Sequence, residues 1–114
     1  MGTLKEKCGI VSDNDIIEIS NLGGIFEFQC DPVELYKALR RRERIIALFH
    51  THPFSKSCYP SSTDKIGMEL WRVPWIIIGE KCIRAFGLDG GVVEIDINTL
   101  LSQELYNRLM KLFE

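Results

Sequence analysis

The stretch Ile45-Ile46-Ala47-Leu48-Phe49-His50-Thr51-His52-Pro53 is an apolar run that ends in two histidines and a proline. Pro60-Ser61-Ser62-Thr63-Asp64 follows a short loop later. Ile45 to His50 is continuously apolar rather than alternating, which predicts a strand covered on both faces. Thr51 to Pro60 reads as loop. Ser61 then caps a helix reaching about Trp71, with Asp64 in its first turn. Trp75 to Ile78 (WIII) is another buried strand.

Upstream of this stretch, Cys8 to Ser12 (CGIVS) and Ile16 to Ser20 (IIEIS) flank the turn signal Ser-Asp-Asn-Asp and predict a hairpin. Ile25 to Phe28 (IFEF) alternates as a strand should. Asp31-Pro32-Val33-Glu34 is a helix start: Asp caps free N–H groups, Pro fits the first helical position and Glu sits at N3. That helix should run to about Arg41, with Val33, Leu35, Tyr36 and Leu39 inward. Downstream, Cys82 to Phe86 and Val92 to Ile97 predict a hairpin around Leu-Asp-Gly-Gly. Asn98 to Phe113 reads as one helix, because Leu101, Leu105, Leu109 and Phe113 recur at i, i+4 spacing. That stripe is core or, failing that, a dimer contact. The sum is α+β: a mixed, largely antiparallel sheet flanked by helices.

The 114 residues suit a single domain spanning 1–114, and nothing repeats or divides them. Apolar residues are 46% and charged residues 26%, which excludes disorder and coiled coil as the main organisation. A net charge of −2 points to neither nucleic acid nor a membrane. No run of apolar residues is long enough to span a bilayer, and the start lacks the apolar core of a signal peptide. The expected location is the cytoplasm. Cys8, Cys30, Cys58 and Cys82 form no CxxC pair, so a cysteine-bound metal is not expected. In a reducing compartment the expectation is free thiols. Cys58 falls in the loop after the histidines, where it could compete for a metal, pair with Cys82 to pin the loop, or stay a free thiol.

His50 and His52 are the only two histidines. In an extended segment residues i and i+2 point the same way, so both imidazoles can face one point. That is what two ligands of one metal require. Asp64, twelve residues on, would complete a His₂Asp set with a fourth position open for water, which is the catalytic zinc pattern.

His50-Thr51-His52-Pro53 followed by Pro60-Ser61-Ser62-Thr63-Asp64 resembles the HxHP…PSxxD signature of the JAMM (MPN+) zinc metallopeptidases. Glu6-Lys7-Cys8-Gly9-Ile10-Val11 resembles the E-x-C-G-hydrophobic segment that carries the family's catalytic glutamate. Trp75-Ile76-Ile77-Ile78 resembles the family's buried strand after the metal-site helix. The resemblance covers roughly Glu6 to Ile97. It implies the cytidine-deaminase-like JAB/MPN fold, with zinc as cofactor held by His50, His52 and Asp64 and a water as fourth ligand. Glu6 would take that water's proton and pass it to the leaving amine, and Ser61 would donate a hydrogen bond to the tetrahedral oxyanion. Ser61 also has the plainer role of a helix cap. Eleven residues separate His52 from Asp64 where the family usually has ten. Only five precede Glu6 where the family usually carries a helix, so the C-terminal helix or a second subunit in a homodimer is expected to cover that face. The long inserts of eukaryotic deubiquitinases are missing, which points to a compact prokaryotic or phage-type member.

The resemblance implies hydrolysis of an amide or isopeptide bond at the C-terminal tail of a ubiquitin-like or sulfur-carrier-like protein. The tail would add as an extended strand. The alternative is a non-catalytic or phage tail-assembly module that keeps its zinc site. A metal phosphoesterase is poorer, since such sites recruit more histidines than this chain has. Lys37, Arg40, Arg41, Arg42 and Arg44 form a basic cluster, read as a solvated helix end or a docking patch for an acidic protein partner. No aromatics interleave with these arginines, which argues against nucleic acid.

Overall fold

The computed structural model describes residues 7–13, 15–19, 30–40, 44–52, 58–79 and 81–111. Among them six strands form one sheet: β1 (Cys8–Ser12), β2 (Ile16–Ile19), β3 (Ile45–Thr51), β4 (Trp75–Ile78), β5 (Ile83–Leu88) and β6 (Val92–Ile95). Their spatial order is β2-β1-β3-β4-β5-β6. Every neighbouring pair is antiparallel except β3 and β4, which run parallel with Leu48 opposite Trp75 and Thr51 opposite Ile78. A parallel pair needs a crossover, and helix α2 (Ser62–Leu70) supplies it. The expectation of a mixed, largely antiparallel sheet is met.

The sheet is covered on both faces, which is why β3 and β4 read as unbroken apolar runs. Helix α1 (Pro32–Leu39) and α2 lie on one face, over Cys8, Ile10, Leu48, Trp75, Ile77 and Phe86. Helices α3 (Ile97–Leu100) and α4 (Gln103–Lys111) lie on the other, over Val11, Ala47, Phe49, Ile76, Ile78 and Ala85. The C-terminal segment therefore covers the second face from within the same chain. Leu101, Leu105 and Leu109 are buried there. Three such leucine burials stabilise the fold by about 6 kcal/mol before entropy is counted.

Both predicted caps hold. The Asp31 carboxylate accepts from the Val33 and Glu34 amides, with Pro32 at the helix start. The β5–β6 hairpin turns through Gly90 and Gly91 at φ 70° and 148°, a backbone that only glycine adopts without strain.

Several expectations need correction. Of the predicted α1 stripe Leu35 is buried, joined by Ala38 one turn on, whereas Val33 and Tyr36 are 59% and 54% exposed. The Leu39 side chain lies outside the described residues. The predicted helix over 98–113 is broken: Leu101 leaves it at φ −119°, ψ 142°, and Ser102 Oγ restarts it by accepting the Leu105 amide. Strand β3 runs one residue further than predicted, through Thr51. The cysteines are not free thiols. Cys8 bridges Cys30 and Cys58 bridges Cys82, because folding brings their Cα atoms to 5.9 and 6.1 Å, inside the bridging range. The predicted strand over 25–28 lies outside the described residues.

Candidate metal centre

His50 is the penultimate residue of β3, and His52 follows the strand end. Register fixes both: the Thr51 amide donates to the Lys7 carbonyl at 2.9 Å, and the His52 amide donates to the Ile78 carbonyl at 2.8 Å. The two rings sit with centroids 4.8 Å apart on the face that carries α2. Trp75 on β4 meets the His50 ring edge-on at 5.9 Å. It can do so because α2 has Gly67 at the crossing, where a Cβ would come within 2.5 Å of the indole.

Asp64 arrives from α2. Ser61 Oγ accepts the Asp64 amide at 3.1 Å, and Asp64 Oδ2 accepts the Ser61 amide at 2.8 Å. This is a reciprocal capping box with aspartate at N3. The helix start thus aims a carboxylate at the histidines and favours its charge through the helix dipole. His50 Nε2 lies 2.9 Å from Asp64 Oδ1, and His52 Nε2 lies 3.2 Å from Asp64 Oδ2. Side-chain exposure is 1% at His50, 12% at His52 and 4% at Asp64. Burial pushes the Asp64 carboxyl up. The hydrogen bonds from both imidazoles, the charge of His50 and the Ser61 amide outweigh it and hold the group well below the usual carboxylate range.

All three donor atoms lie within 4.8 Å of one another. In a tetrahedral site with arms of ~2.05 Å, ligand atoms are about 3.3 Å apart. The Nε2–carboxylate separations already match that edge. Two imidazoles and one carboxylate, converging from one side and nearly dry, can hold a divalent metal ion.

The loop that returns to Asp64 is held at its end. Cys58 is tied to Cys82 just before β5. Tyr59 packs on Phe86 at 5.9 Å and under the Arg84 guanidinium at 4.8 Å, and Arg84 pairs with Glu94 at 2.8 Å. The extra loop residue relative to the family's spacing leaves the His–His–Asp convergence intact. Of the residues singled out from sequence, His50, His52, Asp64 and Ser61 come together, and Glu6 lies outside the described residues. Sequence reading missed Trp75 as a wall of the site. Its only signal was its place at the start of a strand parallel to the histidine strand.

No family model matches the chain. Over 86 residues it is 33% identical to the desampylase of Pyrococcus furiosus, covering 67% of this chain and 61% of that protein. Over 68 residues it is 40% identical to a "probable TtuB-protein conjugate cleaving protease" of Thermus thermophilus, covering 56% of this chain and 45% of that protein. This chain is similar in sequence to both. It spans less than two thirds of the length of either. A solution structure of a protein from Salinibacter ruber matches 81% of this chain and 75% of its own, at 16% identity and a TM-score of 0.49. The resemblance to JAMM proteases carried by H-x-H-P and P-S-x-x-D agrees with the curated relatives. Among the described residues no helix is long and apolar enough to cross a membrane.

Proposed function

We propose that the chain is one JAB/MPN-type zinc metallopeptidase domain. It hydrolyses an amide or isopeptide bond at the C-terminal tail of a ubiquitin-like or sulfur-carrier-like protein. The observation that carries this reading is the convergence of His50 Nε2, His52 Nε2 and the Asp64 carboxylate on one buried point. The likeness to a desampylase and to a probable TtuB-protein conjugate cleaving protease supports the substrate class.

Zinc held by these three residues supplies a Lewis acid for the scissile carbonyl and a lowered pKa for water. Every other role belongs to the chain. Asp64, held ionised by its partners, keeps both Nε2 atoms gathered at the site before the ion enters, and on binding these hydrogen bonds would give way to one ligand bond from each of the three residues. Glu6 takes a proton from the attacking water on its carboxylate and delivers it to the departing amine. Ser61 accepts the Asp64 amide through an oxygen lone pair, so its hydroxyl proton remains to donate to the developing oxyanion. The substrate tail lies as an extended strand and is held by backbone hydrogen bonds. The protein works in the cytoplasm.

The test is a conjugate of TtuB joined through its C-terminus to a lysine of a carrier peptide. The wild type should bind one zinc ion per chain and release the peptide in a chelator-sensitive reaction. Glu6→Gln should abolish turnover while zinc stays bound. Full activity in Glu6→Gln refutes the proton-transfer role. Bound zinc with no cleavage of any modifier tail by the wild type favours an assembly module instead.

A further inference from the structure

The ladder between β1 and β3 ends irregularly. In an antiparallel pair, residues that exchange both backbone hydrogen bonds alternate with residues that exchange none. The Thr51 amide donates to the Lys7 carbonyl at 2.9 Å, so Lys7 and Thr51 occupy an exchanging position. The return bond does not go to the Thr51 carbonyl. The Lys7 amide donates to Thr51 Oγ1 at 2.8 Å. A side-chain hydroxyl has replaced the backbone in the last rung, at a residue only 2% exposed and flanked by both histidines.

The N–H held by this hydroxyl belongs to the peptide bond that joins Glu6 to Lys7. That unit is planar from one Cα to the next. The Lys7 N–H, held by β3 through this hydroxyl, is the chain's attachment point for the residue before it. Among the described residues, the β1–β3 pairing begins at Cys8, opposite His50.

We propose that Thr51 is a positioning residue: its hydroxyl sets the Glu6–Lys7 peptide against the strand that carries His50 and His52, and so aims the Glu6 carboxylate. The inference rests on the reading of Glu6 as the proton-transfer group. Thr51 itself touches neither substrate nor reacting atoms. Valine has the same branched shape without the acceptor, and serine keeps the acceptor without the methyl group, so the two variants separate the hydrogen bond from packing.

Thr51→Val and Thr51→Ser are compared with the wild type and Glu6→Gln, using the TtuB–lysyl-peptide conjugate, zinc content and hydrogen exchange at the Lys7 amide in metal-free protein. In Thr51→Val kcat should fall about 10- to 100-fold, the scale of a misplacement near 1 Å. Its KM and zinc content should hold, and its Lys7 amide should exchange faster. Thr51→Ser should restore both kcat and protection. If Thr51→Val does not fold, Thr51→Ala removes the same acceptor with less demand on packing. Wild-type kcat in Thr51→Val beside an inactive Glu6→Gln overturns the inference alone. So does loss of zinc in Thr51→Val, which would mean that Thr51 acts through the histidines. Equal impairment of the serine variant also overturns it. An active Glu6→Gln overturns the underlying reading and the inference with it.

Discussion

At Asp64 two demands fall on one carboxylate. Oδ2 takes the Ser61 amide and faces His52, while Oδ1 faces His50. Asp64→Asn keeps the shape and can still cap, but it removes the negative charge and turns one acceptor into a donor. Losing an outer partner of a metal ligand costs roughly 10- to 100-fold in affinity. Losing a direct ligand should cost more than about 100-fold, measured by competition against a chromophoric chelator. Retained affinity would mean that the ion binds elsewhere. The histidines were legible because they are the only two in the chain and alternate on a strand. Thr51 was not, because a residue between two ligands looks like a spacer until the neighbouring strand shows what its hydroxyl accepts.

Helix α2 depends on its first turn for both stability and aim. Ser61→Ala should destabilise the fold by about 1 kcal/mol, the usual worth of an N-cap side chain, read as a lower urea midpoint at unchanged slope. It should also weaken metal binding, since the Asp64 amide loses its acceptor and the carboxylate its fixed direction. An unchanged midpoint would show that water caps this helix equally well. Where capping chemistry is local, element starts could be read directly: Asp31 and Ser61 both cap as expected. The break between α3 and α4 escaped the leucine spacing because Leu101, Leu105 and Leu109 keep the same i, i+4 interval across it and all point to the core. Hydrophobic period reports the buried face, not the continuity of backbone hydrogen bonds. The same logic explains α1, where the small Ala38 fills the stripe and carries almost no signal. The Cys58–Cys82 bridge was one of three readings the loop position offered, whereas nothing singled out Cys8–Cys30, because four cysteines without close pairs admit every connectivity.

For the molecule as a whole, the sheet is a slab closed above by α1 and α2 and below by α3 and α4, with both covalent ties at the end where β3 and β4 finish and the site lies. The Cys8–Cys30 bridge closes a loop of 22 residues onto β1. On the chain-entropy model such a tie contributes about 3 kcal/mol. Cys30→Ser should lose that amount in denaturant unfolding, and the intact wild-type mass should be lighter than its reduced form by four hydrogens, two for each bridge. Mass equal to the reduced form would remove both bridges. The site itself is assembled from two very different spans of chain. His50, His52 and Asp64 lie around a single strand–helix crossover, whereas Lys7 reaches Thr51 across 44 positions. Loop closure makes the short span far quicker to form than the long one. A nascent or refolding polypeptide should therefore capture its ion first and acquire the N-terminal arm later. Pulse-labelled refolding with zinc present should record metal uptake ahead of protection at β1, so that a half-built molecule carries its cofactor while still unable to cut.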